Sequence, residues 1–142
     1  MNKISLSLSL VMLFLVSFSC TDHDIPLVRP SLETENLNRG KTATSDGLYF
    51  GVKWLDLGNS VSIVEFGNVY SKTVSGEALK LGDPGVEKIV SPIAPVLGNV
   101  YFAKFFVVDS DYYYRGYAKL GDGSVIYGTA KKFSLWIAMV ES

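Results

Sequence analysis

The feature that most constrains this chain is a period-two alternation of side chains that begins near residue 46. Leu48, Phe50, Val52 and Trp54 alternate with Tyr49, Gly51, Lys53 and Leu55. Successive side chains of a β-strand point to opposite faces, so this run predicts a strand with one buried face. No helical period survives beyond residue 20. The predicted fold is therefore all-β.

Turn residues divide the remainder of the chain into further runs of this kind. Gly121-Asp122-Gly123-Ser124 is a strong hairpin signal, because Asp-Gly pairs accept positive φ. Gly and Pro are frequent over residues 72–98, which predicts a loop-rich connection with one or two short strands. The longer strands are predicted at 48–55, 61–71, 99–107, 112–120 and 125–136. About seven strands at this spacing predict an antiparallel β-sandwich of two sheets.

The inward face of the strand at 61–71 stays open. Ile63, Gly67 and Val69 form one apolar set, and Val64, Phe66 and Tyr70 form the other. Either set is able to face a core, so the pattern leaves the register of this strand undecided.

The N-terminus has the layout of a secretory signal. Met1-Asn2-Lys3 is followed by an uncharged apolar stretch from Ile4 to Phe18, and Cys20 comes at its end. As a helix this stretch reaches roughly 22 Å, short of the roughly 30 Å hydrocarbon core of a bilayer. Residues 1–19 resemble a bacterial lipoprotein signal peptide, with Ser17 at the position where the lipobox usually has Leu or Val.

That resemblance implies that Cys20 is diacylated on sulfur, as by palmitate, and becomes the mature N-terminus. Several acyl chains suffice for stable anchoring. In some bacterial lipoproteins an Asp directly after the acylated Cys signals retention in the inner membrane. This chain has Thr21 at that position, so we expect the protein in the outer membrane. The acidic pair Asp22 and Asp24 resembles the clusters that accompany export to the cell surface, although solvated tether charges explain it equally well.

The counts of charged and reactive residues exclude several functions. A formal net charge of −1 gives no basic excess for a phosphate backbone, so we expect no nucleic-acid partner. The single Cys cannot close an internal disulfide, and the single His, His23, is expected to be solvated. Asp109, Asp111 and Asp122 match no dedicated calcium loop. We therefore expect no cofactor, no metal site, no catalytic residue and no enzyme.

Residues 20–45 predict a lipidated N-terminus followed by a polar tether, because the segment holds Pro26 and Pro30 and has little periodicity. A short edge strand around 27–33 is an alternative, with Leu27, Val28 and Leu32 covering one side of a sheet. The folded domain is expected over residues 46–142.

The second half of the chain resembles the fibronectin type III or immunoglobulin-like domains of bacterial surface lipoproteins. The run from Phe106 to Ala118, with its Tyr-Tyr-Tyr-Arg-Gly-Tyr-Ala segment, matches their strand motif. The final strand of these domains carries a Tyr-Gly pair and a later Phe, which correspond here to Tyr127-Gly128 and Phe133. An upstream strand of the same domains resembles the run Glu65-Phe66-Gly67-Asn68-Val69-Tyr70-Ser71. The resemblance implies an immunoglobulin-like, fibronectin type III-like sandwich.

Within this pattern we expect a tyrosine corner, with Phe106 and a buried Tyr112 whose hydroxyl bonds an upstream backbone group. Tyr113, Arg115 and Tyr117 point to the opposite face and form the candidate binding face. An aromatic pair flanking Arg suits a sugar or an acidic partner. Packing across neighbouring strands is the alternative explanation.

The expected function is that of a membrane-anchored, non-catalytic binding or adhesion module for a glycan or a protein. The alternative is a spacer or accessory subunit that docks on another envelope protein by a sheet edge. The apolar ending Trp136-Ile137-Ala138-Met139-Val140 bears on this choice. It is an interaction strand if exposed and part of the core if buried.

The lipid anchor is directly testable. Cys20→Ala removes the only acylation site that the sequence offers, so this variant should lose metabolic palmitate labelling and leave the membrane fraction. A Cys20→Ala chain that stays membrane-associated and lipid-labelled would contradict the prediction.

Overall fold

The fold is all-β, with two antiparallel sheets in a sandwich-like arrangement. The computed structural model describes residues 25–42, 45–105 and 110–134, without the side chains of 38–48 and 103–105. In this part of the chain no helix is long and apolar enough to cross a membrane. The strands are β1 (Ser31–Thr34), β2 (Asn38–Thr42), β3 (Ser45–Asp56), β4 (Ile63–Ser71), β5 (Glu87–Val90), β6 (Gly98–Phe105), β7 (Tyr112–Leu120), β8 (Val125–Tyr127) and β9 (Lys131–Phe133).

The long strand β3 organises the first sheet. Its second half pairs with β1, its first half pairs with β2, and β6 pairs along its other edge. The second sheet has the order β5-β4-β7-β8, and β9 also pairs with β7. These strands confirm the predicted β-runs, and β5 is a short strand within the predicted connection.

The core lies between the sheets and follows the alternation in β3. Phe50, Val52 and Trp54 are buried, as the period of two predicts. The ring of Trp54 lies 5.4 Å from that of Phe66, centroid to centroid. Phe66 and Tyr70 join this cluster, whereas Val69 belongs to a second cluster. Val64 is 63% exposed, and Ile63 packs on the first cluster, because the register shifts between Ile63 and Glu65. Each predicted set is therefore divided between two environments.

The segment expected to be a tether is part of the fold from residue 25 onward. β1 and β2 pair with β3, and the preceding residues pack on the β3–β4 connection, where the Val28 carbonyl accepts bonds from Asn59 N (2.9 Å) and Ser60 N (3.1 Å). The edge-strand alternative is confirmed in part: β1 is a short edge strand with Leu32 buried, whereas Leu27 is 80% exposed and does not cover the sheet. The tether prediction was wrong for this segment because it relied on polar composition. An edge strand needs only a few inward-facing apolar side chains, so a polar segment is able to form one.

The first strand, β1, also contacts the second sheet through a side chain. Thr34 is buried, and its Oγ1 accepts a bond from the Gly116 backbone N at 2.9 Å. A Cβ on Gly128 would lie 2.5 Å from the Thr34 nitrogen, so this close approach requires glycine. The register with β7 shifts by one residue between the Tyr117–Tyr127 and Tyr114–Lys131 pairs. β8 and β9 are thus the two halves of an edge strand interrupted by a bulge beside Thr34.

The predicted tyrosine corner is described in part. The Tyr112 ring is buried, with its centroid 6.3 Å from that of Tyr70. Another hydroxyl of the strand, that of Tyr114, accepts a bond from the upstream Leu37 N at 3.1 Å. Several predicted features lie outside the described residues: the signal peptide, Cys20, His23, Phe106, Asp109 and Trp136–Val140.

Asn68 is a polar residue in the middle of the apolar core. It is buried and pairs across the sheet with Gly116. Neither Oδ1 nor Nδ2 has a hydrogen-bond partner among the described residues. A buried amide without partners costs about 1–3 kcal/mol relative to an apolar group.

Asn68→Leu should therefore stabilise the fold, because Leu has a similar branched shape and no polar atoms to desolvate. We expect the free energy of unfolding to rise by about 1–2 kcal/mol in urea titrations. The matched variant Asn68→Asp buries a charge and should lower it. A destabilised Asn68→Leu beside a tolerated Asn68→Asp would contradict this account.

Candidate functional site

The predicted binding face lies on the outer side of the second sheet, but it is not exposed. Arg115 is 8% exposed and Tyr117 is fully buried, whereas Tyr113 is partly buried. The three side chains do point away from the core that holds Tyr112, as the alternation predicts. Their exposure was the wrong expectation, because a segment of the chain covers this face.

That cover is the β4–β5 connection, residues 72–86, which contains a 3₁₀ turn at Gly76–Ala78. Leu79 is fully buried in a second cluster with Val69 and Tyr117. Six partly buried side chains pack against this cluster: Val74, Leu81, Val86, Tyr113, Val125 and Tyr127. The Leu81 backbone N donates to the Tyr127 hydroxyl at 2.9 Å. The second sheet is thus packed on both faces.

Arg115 joins the connection to the bulge in the edge strand. Its Nε donates to the Gly128 carbonyl at 2.7 Å, and its guanidinium carbon lies 4.6 Å from the Tyr127 ring centroid. A terminal nitrogen pairs with the Glu77 carboxylate at 2.6 Å. Buried charge is tolerated only when it is paired and hydrogen-bonded, and these contacts meet that need. The geometry favours the packing interpretation of Arg115 over ligand binding.

Tyr117 is held by a carboxylate at the edge of the same face. Its hydroxyl donates to Glu65 Oε1 at 2.6 Å, and Lys88 Nζ bonds the two carboxylate oxygens of Glu65 at 2.8 and 3.0 Å. The bond from Lys88, followed by that from Tyr117, lowers the pKa of Glu65. Burial, followed by the bond to Glu65, raises the pKa of Tyr117. Tyr117 therefore stays protonated and acts as a hydrogen-bond donor rather than a nucleophile.

The outer side of the first sheet carries accessible aromatic and charged groups. Tyr101 is 37% exposed, and Tyr49 is partly exposed on the neighbouring strand. Alternation along β1, β3 and β6 places the following six side chains on this side, which we call the tyrosine face: Glu33, Glu35, Tyr49, Lys53, Asn99 and Tyr101. This is the candidate site.

Tyr101 is the centre of the tyrosine face. Its hydroxyl accepts a bond from Asn99 Nδ2 at 3.2 Å and donates to Glu35 Oε2 at 3.5 Å. A Cβ on Gly51 would lie 2.8 Å from the Tyr101 ring and 2.7 Å from the Glu35 Cβ. The missing side chain of Gly51 therefore lets both residues lie against the β3 backbone, which supports the ring from below.

The groups of the tyrosine face suit a ligand that has both an apolar surface and hydroxyls. The ring offers stacking area, while carboxylate and amide groups beside it accept and donate hydrogen bonds. Lys53 and Glu33 form a solvated ion pair at 3.4 Å and remain half-exposed. No group of three His, Cys, Asp or Glu residues able to hold a metal occurs within the described ranges.

The sequence does not mark this site with a motif. Its residues are recognised only as the outward side of the first sheet, opposite the core. Tyr49 is already the outward residue of the alternating run that predicts β3, so the pattern contained that half of the signal. Tyr101 lies beside it only through the pairing of Gly51 with Tyr101. Such a register between distant strands is not readable from one sequence.

The cover over the second sheet yields a prediction on Arg115. Arg115→Lys keeps the charge but loses the bond to Gly128 and the planar contact with Tyr127, so the free energy of unfolding should fall by about 1–3 kcal/mol. Glu77→Gln is the matched control, because Glu77 is largely exposed and its ion pair should contribute under about 1 kcal/mol. Equal effects in urea titrations would show that the contacts of Arg115 with Gly128 and Tyr127 contribute no more to stability than its ion pair with Glu77.

Comparison with known proteins adds no family. A scan against protein-family models finds no match, and searches of curated proteins and of solved structures find no significant match either. Function is therefore inferred from the residues and their geometry alone.

Proposed function

We propose that this chain is a lipid-anchored protein of the bacterial outer membrane and a non-catalytic binding module for a glycan or a protein. The tyrosine face is the part that contacts the ligand. The observation that carries this proposal is Tyr101, an exposed ring placed over Gly51 between a carboxylate and an amide. Tyrosine is enriched at binding surfaces because it adds large contact area at a small cost in conformational entropy.

Support for the anchor comes from the sequence. A short basic start, an apolar stretch too short for a stable span, and a cysteine at its end occur in the order that lipoprotein signals use. Cys20 is the only cysteine of the chain, so acylation competes with no disulfide. Thr21 after it favours the outer membrane, and the acidic residues that follow favour exposure at the cell surface.

Support for a fibronectin type III-like sandwich comes from the strand count and the sheet order. β1 and β2 occupy one edge position, as do β8 and β9. Counted in this way, the described part of the chain has seven strands, three in the first sheet and four in the second. Seven strands in two antiparallel sheets is the architecture that the sequence resemblance implies.

The absence of enzymatic activity is part of the proposal and rests on chemistry. The only histidine of the chain, His23, precedes the sandwich, so the folded part has no imidazole for a Ser-His-Asp arrangement. Tyr117, the most deeply buried of the phenols bonded to a carboxylate, has a raised pKa that opposes ionisation. The accessible side chains are suited to hydrogen bonding and stacking.

A second candidate is docking on an envelope protein through the β6 edge. β5 and β6 each pair with one strand in the described part of the chain, so both are edge strands. β5 carries Glu87 and Lys88, charges that discourage edge pairing, whereas β6 has one charge, Lys104, in eight residues. An extended peptide could add to β6 as a further strand.

Binding is tested with the full Cys20→Ala chain on a glycan array and against solubilised envelope proteins. Tyr101→Ala should weaken saturable glycan binding about tenfold, the effect of losing about 1.4 kcal/mol. Its melting temperature should change little, because the ring is on the surface.

Tyr113→Ala is the matched control, since this tyrosine lies on the covered side of the second sheet and should leave binding unchanged. Glycan binding that survives Tyr101→Ala would contradict the assignment of the tyrosine face. A single envelope protein that co-purifies with the Tyr101→Ala chain as well as with its parent would favour docking through the β6 edge.

A further inference from the structure

Exposed apolar side chains are concentrated at one end of the sandwich. Among the side chains that the structure describes, eight large ones between 40% and 80% exposed lie toward the end where β3 finishes and β4 begins. They are Ile25, Leu27, Val28, Leu55, Val64, Ile93, Val96 and Leu97. Scattered exposed apolar residues are ordinary, but a concentration at one end indicates an interaction surface. We call this end the apolar end.

Strand pairing places these residues together. Val28 bonds the β3–β4 connection, and Leu55 is the penultimate residue of β3. Gly98 pairs with Trp54, so Leu97 continues past the same end. Beside them, the β5–β6 connection and the start of β4 enclose an open groove of about 340 Å³. Ile63, Val64, Pro92, Ile93 and Pro95 are among the residues that line it.

The chain reaches this end directly from the proposed anchor. Cys20 precedes Ile25 by five residues, which span at most about 18 Å when fully extended. Residues 25–30 are then fixed on the sandwich through Asn59, which bonds Val28 N at 2.7 Å and the Pro26 carbonyl at 3.1 Å. An acylated Cys20 therefore holds the apolar end within about 18 Å of the lipid surface.

Side chains satisfy several backbone groups of the irregular segments at the apolar end. Irregular chain is costly there unless its N–H and C=O groups are satisfied internally. In the first segment Asn59 bonds the Val28 amide N and the Pro26 carbonyl, and in the other Ser91 Oγ bonds both the carbonyl and the amide N of Ile93. Four of the five prolines, which have no N–H to satisfy, also lie in these two segments: Pro26, Pro30, Pro92 and Pro95.

From these observations we propose that the apolar end docks on the lipid bilayer, with its exposed side chains in the headgroup and acyl boundary. This inference rests on the proposed acylation of Cys20 and adds an orientation to it. The apolar end contacts the bilayer, and the strands extend away from the membrane. Lipid anchoring and partial insertion of apolar side chains reinforce one another, because the anchor keeps the end at the surface.

The test uses the lipidated full chain in vesicles of phosphatidylethanolamine and phosphatidylglycerol. Acylation occupies the Cys20 sulfur, so Leu27→Cys, Leu97→Cys and Ala78→Cys each introduce the sole free thiol for a polarity-sensitive nitrobenzoxadiazole label. Ala78 is the matched control, because it is exposed and lies far from the apolar end. It follows Glu77, which is paired with Arg115. Arg115 lies beside Val69, about 20 Å along β4 from the apolar end. Circular dichroism verifies the fold of each variant.

We expect blue-shifted emission and quenching by headgroup-region spin-labelled lipid at Leu27→Cys and Leu97→Cys, and neither change at Ala78→Cys. Equal, water-like emission at all three positions on a lipidated chain would overturn the docking while leaving the anchor intact. A blue shift already present in a vesicle-free Cys20→Ala chain would mean that a second copy covers this end, which also overturns it. A parent chain without incorporated palmitate would overturn the anchor and the docking together.

Discussion

Burial of the second sheet on both faces is the constraint on which the rest of the structure depends. One face packs on the first sheet, and the other lies under the β4–β5 connection. Arg115 secures that cover because its guanidinium satisfies the Gly128 carbonyl where the edge strand bulges and pairs with Glu77 in the connection. The outer side of the first sheet carries Tyr101 and the partly exposed Tyr49, so the asymmetry between the two sheets decides where the proposed ligand has room to bind.

A second constraint is the contact between β1 and the opposite sheet. The bond from Gly116 to Thr34 replaces a ladder partner that the bulged strand cannot supply. It holds the N-terminal segment on the sandwich and, under the proposed acylation of Cys20, shortens the free chain between the lipid and the domain. An expected tether of residues 20–45 could have extended to about 90 Å, whereas the five steps from Cys20 to Ile25 reach about 18 Å. Together with the pairing of β1 and β3, the Thr34 contact thus limits how far the domain would stand from a membrane if Cys20 is acylated as proposed.

The sequence predicted the features that depend on local pattern. Alternation in β3 identified Phe50, Val52 and Trp54 as core residues, and the Asp-Gly signal located the β7–β8 hairpin. The structure differs from the sequence prediction where burial depends on contacts between residues far apart in the chain. Leu79 lies among Gly and Pro residues typical of a loop, and its burial depends on meeting Val69 and Tyr117 across the sheet. Likewise, Tyr101 becomes part of a site only through the register that places it over Gly51.

The close approach at Gly128 also limits how copies of this protein can assemble. There, β1 lies against the broken edge strand of the second sheet, so the lateral side of the sandwich formed by β1 and β8 is closed by its own chain. Among the described strands, β5 and β6 border the opposite lateral side, where each pairs with one strand only. Propagation into a fibre requires two opposed edges on each subunit. Within the described residues, the contact between β1 and β8 therefore removes one of the two opposed edges that such propagation would use.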